Sequence, residues 1–390
     1  MLNLGAVGFG ARAQHMFGLM QKIDPGARLA SLVEPAKASV LANRPEAAEA
    51  TWYDDVTSML DGEKLDGVLV STPNSYHVAA ALPVIERGIP LFLEKPVVTT
   101  REDLETLKAA GHQLTAPVIV SFPLRLAALT RKVRQLIKED TIGEIQHIQA
   151  VNNVPSYGVI AFYHGWRRNE ALSGGLWLEK ATHDLDILNY LTGLRPIEVA
   201  GMESKTVFRG TMPAGLKCVD CSQVKVCSES PVVVQDREGP FSAATLKPDE
   251  WRCVFGVDTG NHDSGTAIVR YETGIHAMYS QNFYSRRSAA TRGATVIGHK
   301  GTLRFDWYRA EIELIDHFDT TTARWDFIDD ASGHFGGDKQ LASSFMEAAA
   351  GLVPPSSASL NDGLLSAELG LSIDEACKTG RTVTVRHDGF

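Results

Sequence analysis

A chain of 390 residues, 44% hydrophobic and 22% charged, has the composition of a soluble globular protein and is too long for one ordinary core, so two domains are expected. Its net charge of −9 argues against non-specific nucleic-acid binding, which needs a basic surface, and no apolar run nears the roughly 18 residues that cross a bilayer. The first residues, Met1-Leu-Asn-Leu-Gly-Ala-Val-Gly8, read directly as a strand without a basic segment or cleavage site, and five cysteines in no evident disulfide framework suit a reducing cytoplasm.

The opening strand runs into Gly8-Phe9-Gly10-Ala11-Arg12-Ala13 and then into helical composition up to about Lys22. Strand, tight glycine turn and helix together form a dinucleotide fingerprint in which Ala13 stands at the third glycine position, as the fingerprint allows. The glycines let backbone approach a pyrophosphate, and the helix start offers its unpaired N–H groups. A second strand, Ala27 to Val33, ends in Glu34. A carboxylate there accepts bonds from a ribose diol and repels a 2′-phosphate, which favours NAD over NADP; Lys37 softens that preference, and a cap on the next helix is the other reading of Glu34. Apolar strands at Asp66–Thr72, Gly88–Glu94 and Pro117–Phe122 alternate with helices near Val78–Arg87 and Arg101–Gly111, the pattern of a doubly wound parallel sheet. Such sheets bind ligands beyond the carboxyl ends of their strands, where Thr72, Pro73, Asn74, His77, Glu94 and Lys95 fall. Pro96 restricts Lys95, and Glu94 is expected to hold its amine. A lysine whose pKa is lowered by burial beside a cofactor exchanges a proton with an alcohol or carbonyl, whereas a surface loop lysine does nothing of the kind; both readings stand at this point.

Phe122-Pro-Leu-Arg125 marks the crossover to a second domain. A basic helix, about Thr130–Glu139, leads to a strand at Glu144–Asn152. Tyr157, Tyr163, His164, Trp166 and Arg167 then cluster, which fits the faces and hydroxyls of a sugar and equally fits a core. The stretch Gly174 to Asp186 brings Glu179, Lys180, His183, Asp184 and Asp186 together between apolar residues. If it is one helix, Glu179, His183 and Asp186 share a face, where carboxylates orient an imidazole and tune it as a base; a solvated acidic helix start is the alternative. Strands follow at Glu198–Val207, Ser264–Tyr271, Gly274–Phe283, Ala294–Ile297, Gly301–Asp306 and Glu311–Ile315. They read as a meander whose outer face is suited to pairing subunits. Cys218, Cys221, Cys227 and Cys253 lie in an irregular insertion at about 210–260, where they fit either a structural Zn²⁺ or free thiols. His334-Phe-Gly-Gly-Asp338 introduces a helix at Lys339–Gly351, with Asp338 as its cap and His334 bordering the cleft. Pro354-Pro355 reads as a linker, 361–380 as a helix packing back on the first domain, and Thr382–Arg386 as a last strand.

Gly8-x-Gly10-x-x-Ala13, Ser71-Thr-Pro-Asn74 with His77, Glu94-Lys95-Pro96 and Gly174-Gly175…His183-x-x-Asp186, in this order, resemble the glucose–fructose oxidoreductase / inositol dehydrogenase / rhizopine catabolism (Gfo/Idh/MocA) family. The resemblance covers nearly the whole chain. It implies an N-terminal Rossmann domain (1–123) and a C-terminal α/β domain (124–390) with a large, mostly antiparallel open sheet. It also implies NAD(P)-dependent oxidation or reduction of a sugar, polyol or related carbonyl compound, with Lys95 and His183 as acid/base groups. The chain departs from the commoner pattern by carrying Glu179 and Ala181, with Lys180 between them, where Asp-x-Gly precedes the histidine. Glu179 and Asp186 are expected to position the acid/base pair, and Arg125, Trp166, Arg167 and Lys180 are candidate substrate contacts. Two other readings share the fold: an NAD-dependent glycoside hydrolase acting by transient oxidation and elimination, and a non-catalytic dinucleotide sensor. Retention of Lys95 and His183 speaks against the sensor. A homodimer or homotetramer through the open sheet is the expected assembly.

Overall fold

A computed structural model describes residues 2–238, 248–328, 333–352 and 357–386. Two compact units emerge, one made of 1–132, 328–368 and 387–390, the other of 133–327 and 369–386. The helix Leu360–Thr379 passes from the first into the second. Among the described residues no helix is long and apolar enough to cross a membrane.

The first unit contains six strands, β1 (Asn3–Val7), β2 (Arg28–Val33), β3 (Thr51–Trp52), β4 (Gly67–Val70), β5 (Leu91–Leu93) and β6 (Val118–Val120). They form one parallel sheet in the order β3-β2-β1-β4-β5-β6. Chain order reverses beside β1, between β2 and β4, which is where doubly wound sheets open a crevice for a ligand. Strands β4, β5 and β6 are short and wholly apolar because both faces are covered. Helix α1 (Ala11–Ile23) packs Met16, Phe17 and Met20 into the core, and a late helix, Gly337–Ala349, adds Leu341 and Phe345 to the same cluster. Phe345 meets Phe92 edge-on at 5.7 Å. Gly67 makes room for it, since a Cβ there would come within 2.8 Å of the Phe345 ring. The short β3 has too little apolar pattern to be read from sequence.

The second unit is built on nine strands: β7 (Ile145–Asn153), β8 (Pro196–Ser204), β9 (Ser264–Tyr271), β10 (His276–Asn282), β11 (Thr291–Gly298), β12 (Gly301–Asp306), β13 (Glu311–Asp316), β14 (Thr322–Asp326) and β15 (Val383–Thr384). Their order is β14-β13-β12-β11-β7-β10-β9-β8-β15. This corrects the meander: β10 and β11 are consecutive in sequence yet do not pair. Strand β7 lies between them, parallel to β10 and antiparallel to β11. The edge strand β14, also absent from the sequence reading, alternates exposed and half-buried residues and carries no continuous apolar face. One face of the sheet is buried, with Ala267, Val269 and Tyr271 alternating against exposed Thr266, Ile268 and Arg270 along β9. The proposed Pro354-Pro355 linker lies outside the described residues.

Candidate active site

Strand β1 ends at Gly8, whose φ of +76° is left-handed. A Cβ there would also come within 2.7 Å of the Thr72 amide, so glycine alone lets β1 and the end of β4 approach this closely. Gly10 begins α1 with no side-chain cap, and a Cβ at Gly10 meets nothing within 4 Å. Open space in front of an uncapped helix N-terminus suits a dinucleotide pyrophosphate. The Phe9 ring is fully buried against Phe17, which leaves only its backbone at the turn. At the end of β2 the Glu34 carboxylate accepts from the N–H groups of Phe9 (2.8 Å) and Ala36 (2.7 Å). It therefore stands beside the turn.

Arg12 is engaged by side chains that follow β5 and β6. Its guanidinium donates to Glu94 (2.7 Å) and Ser121 (3.1 Å) and pairs with Asp338 (2.8 Å). The Glu94 carboxylate is thus taken by Arg12 and by the Lys95 backbone N–H at 3.3 Å. Asp338 does not cap its helix: Gly336 is the N-cap, and the buried Asp338 carboxylate instead meets Arg12, His15 and His334. Burial alone would raise its pKa, but Arg12, His334 and His15 together hold it well below the usual carboxylate range. His334 is accordingly tied to Asp338. His77 is buried, with Nδ1 2.7 Å from the Pro96 carbonyl and Nε2 3.0 Å from that of Thr72. It ties the Glu94-Lys95-Pro96 turn to the loop after β4. Arg125, proposed to touch substrate, is buried in an ion pair with Asp362 at 2.9 Å.

In the second unit Gly174 and Gly175, both left-handed at φ near +80°, turn the chain into α2 (Leu176–Glu179), which α3 (Thr182–Thr192) follows. The stretch is not one regular helix. The Ala181 N–H reaches back five residues to the Leu176 carbonyl at 2.9 Å, a π-type turn that inserts a residue between the two helices. The shared face expected for Glu179, His183 and Asp186 therefore does not follow from helical spacing. Glu179, Lys180, His183, Asp184 and Asp186 are nonetheless all buried, from 1% to 8% exposed. Charged groups are this buried only when paired or put to use, so the solvated helix start is excluded. Glu179 accepts from Arg167 at 2.7 Å, and Arg167 stacks on Trp166 at 4.5 Å. The Lys180 ammonium lies 5.6 Å from the Phe162 ring centre. Asp184, which sequence reasoning assigned no role, accepts from Arg292 Nε and Nη2 (2.8 and 3.2 Å), Asn152 (2.8 Å) and Tyr279 (3.1 Å). A signal was present: Arg292 is the one charged residue of β11.

The aromatic cluster divides. Trp166 and Arg167 lie beside Glu179, whereas Tyr163 packs in the core against Phe208 and Phe283. His164 is also buried, its ring nitrogens set against the carbonyls of Arg252 (2.7 Å) and Glu229 (3.0 Å). Burial holds this imidazole down to about 4, against the pull of both carbonyls. Below its ordinary value of 6.5 the unfolded chain takes a proton that the folded chain refuses, so stability falls as pH drops from 6.5 to about 4 and this contribution levels off below that. The loss amounts to about 3 kcal/mol. Urea denaturation across this range is expected to show a shallower slope in His164→Gln; an unchanged slope would refute the assignment.

Cys218 and Cys253 are buried and Cys221 and Cys227 half-buried. Burial first, then the Cys253, Cys227 and Cys221 thiols, pushes Cys218 up to about 12. Among the described residues no group of three or more His, Cys, Asp or Glu side chains is placed to hold a metal ion. The structural Zn²⁺ expected on these four cysteines is therefore not supported: ligand spacing in sequence does not by itself bring donors into a coordination shell.

The description "Oxidoreductase family, NAD-binding Rossmann fold" matches residues 2–122, and "GFO/IDH/MocA C-terminal domain" matches residues 130–304. The chain belongs to the Gfo/Idh/MocA family. Members similar to this Gfo/Idh/MocA chain include the Bacillus subtilis (strain 168) protein YteT, named as an oxidoreductase, at 25% identity over 87% of each chain. Inositol 2-dehydrogenase of Corynebacterium glutamicum is 24% identical over 53% of this chain and 58% of its own. Among solved structures, levoglucosan dehydrogenase in complex with NADH and levoglucosan aligns with a TM-score of 0.74 at 18% identity, covering 99% of this chain and 100% of that one. An oxidoreductase domain protein from Kribbella flavida aligns with a TM-score of 0.76 at 17% identity over 99% of both chains. Both structures share the fold. This Gfo/Idh/MocA member is thus an NAD-binding oxidoreductase.

Proposed function

We propose that the protein is an NAD-dependent dehydrogenase or reductase of a sugar, polyol or related carbonyl compound, with Lys95 and His183 as its acid/base groups. The observation that carries this reading is the burial of five ionisable side chains between Glu179 and Asp186, in a chain whose other unit offers a dinucleotide cradle. NAD⁺, when bound against Gly8, Gly10 and the start of α1, supplies the hydride acceptor. Neutral Lys95 or His183 takes the hydroxyl proton as the C–H hydride leaves, and the alcohol becomes a carbonyl; in reduction the same group returns the proton. Glu179, held by Arg167, and Asp186 position His183. Trp166, Arg167 and Lys180 offer a stacking surface and donors to hydroxyl groups. Glu34 favours NAD over NADP through its carboxylate beside the cradle.

The names of the relatives, inositol and levoglucosan dehydrogenases, support a polyol or sugar substrate, and the elimination–hydrolysis alternative is not favoured. Self-association through the sheet is part of the proposal, because Met202, Ile268 and Met278 are exposed on strands β8, β9 and β10. A cytoplasmic location accords with the free cysteines. Screening sugars, inositols and anhydrosugars for reduction of NAD⁺ and of NADP⁺ tests the reading. Turnover with NAD⁺ preferred is expected. Failure of every substrate with both cofactors would overturn it, and a need for only catalytic NAD⁺ would point to elimination.

A further inference from the structure

Asp184 sits in the first turn of α3, directly after His183. An acidic residue there ordinarily serves the helix start, but this one is committed elsewhere. Its carboxylate receives four bonds from three adjacent strands: two from Arg292 on β11, one from Asn152 on β7 and one from Tyr279 on β10. Arg292 and Asn152 are direct cross-strand partners. Arg292 is itself buried and lies over the Trp307 ring at 5.8 Å. A bidentate guanidinium fixes the angle as well as the distance of its carboxylate, so the rotation of α3 about its axis is set by the sheet.

Polar contacts continue beyond Tyr279, whose single hydroxyl proton goes to Asp184. Its hydroxyl contacts Gln281 at 3.2 Å, and the Gln281 amide nitrogen lies 2.9 Å from His262 Nε2. With that amide donating, the His262 proton sits on Nδ1, which lies 2.9 Å from Glu203. Glu203 accepts in turn from the Trp177 indole at 2.8 Å, and Gly265 leaves the space that the indole fills. Trp177 belongs to α2 and Asp184 to α3. Bonds to the sheet residues therefore grip both sides of the π-type turn that carries Glu179, Lys180 and His183, at Asp184 on one side and at Trp177 on the other.

We propose that Asp184 and Arg292, linked through Tyr279, Gln281, His262 and Glu203 to Trp177, are positioning residues that hold the Lys180–His183 turn in its reactive geometry. None of them needs to touch substrate. Their effect on turnover rests on the dehydrogenase reading above; their effect on the His183 ring does not. Buried ion pairs are often replaceable by uncharged groups at little cost in stability, so a stability role alone predicts that such a replacement is silent in catalysis.

The test uses the full chain carrying Asp184→Asn together with Arg292→Met. The double variant is expected to fold and to bind NADH as the parent does. Its kcat is expected to fall about 100-fold with KM changed less than about threefold, as for a group displaced by about 1 Å. In histidine-labelled protein the NMR titration of His183, assigned by its loss in His183→Asn, is expected to move by at least about half a pH unit. Arg292→Lys, which keeps the charge but loses the fork, is expected to fall between the two. If the double variant does not fold, Tyr279→Phe breaks the same chain without touching a charge, with about a tenfold loss of kcat expected. A folded variant with parental kcat and an unmoved His183 titration overturns the proposal. Should the parent oxidise no substrate, the functional reading fails, and the His183 titration still decides this one.

Discussion

His183→Asn is expected to lower kcat by about 10²- to 10⁴-fold, the range that a positioned acid/base group contributes, while NADH affinity stays within about threefold of the parent's. Asparagine keeps a similar volume and hydrogen-bonding capacity but cannot exchange a proton near neutrality. His183 lies in the second unit, among the buried ionisable groups of the α2–α3 turn. The dinucleotide cradle lies in the first, so a fall in turnover without a fall in cofactor binding separates chemistry from folding. Lys95→Met makes the parallel case. It keeps a long apolar side chain at the end of β5 and removes the amine, and the same loss of kcat with NADH binding preserved is expected. The group serving as base in oxidation is the one whose removal abolishes the rise of kcat/KM with pH. Stopped-flow binding of NADH and steady-state rates across pH measure both quantities. Full activity in either variant would remove that residue from the mechanism.

Arg12→Met is expected to cost about 3–5 kcal/mol of stability, the usual penalty for deleting one partner of a buried ionic cluster. Arg12 answers two buried carboxylates, Glu94 and Asp338, and neither can regain water when the guanidinium goes. The two acids also bring distant parts of the first unit together: Glu94 follows β5, and Asp338 starts the helix that covers the sheet. The pH dependence has a definite sign. Asp338 has its folded pKa depressed below the ordinary 3.8, so its contribution is fully present above that value and is lost as pH falls below it toward the folded pKa. In Arg12→Met the Asp338 carboxylate loses the charge that most holds its pKa down, and the gap between variant and parent should narrow as pH falls through the acid range. Urea denaturation at pH 7 and pH 3.5 measures both effects. A loss below about 1 kcal/mol at pH 7, the worth of an exposed pair, would show that Arg12 is not the hub of this cluster.

Much of this protein was legible before its structure. Gly8, Gly10 and Ala13 between a strand and a helix state their geometry locally, because only small residues permit that turn. Short apolar strands alternating with helices specify a parallel sheet, since a strand buried on both faces has no polar side. The charged groups of 179–186 stood out because burial of the flanking Leu176, Trp177 and Leu178 would carry them inward as well. Those readings draw on neighbours in sequence.

What the sequence left open depends on residues far apart along the chain. Nothing local tells β7 to pair with β10 and β11, because each of these strands offers edges that several partners fit. Charge shows that Arg12 and Asp184 need partners but not that these are Asp338 and Arg292, because an ion pair depends on distance in space and has no period in sequence. The same gap explains the cysteines, whose spacing suggested a coordination shell that is not found among the described residues, and the helix through Lys180, where one inserted residue replaced the regular period with a π-type turn. Sequence alone thus determined the class of cofactor cradle and singled out the ionisable stretch that the fold buries. Tertiary structure decided which strands, which arginine and which carboxylate hold that stretch in place, because those choices are made by packing across the sheet.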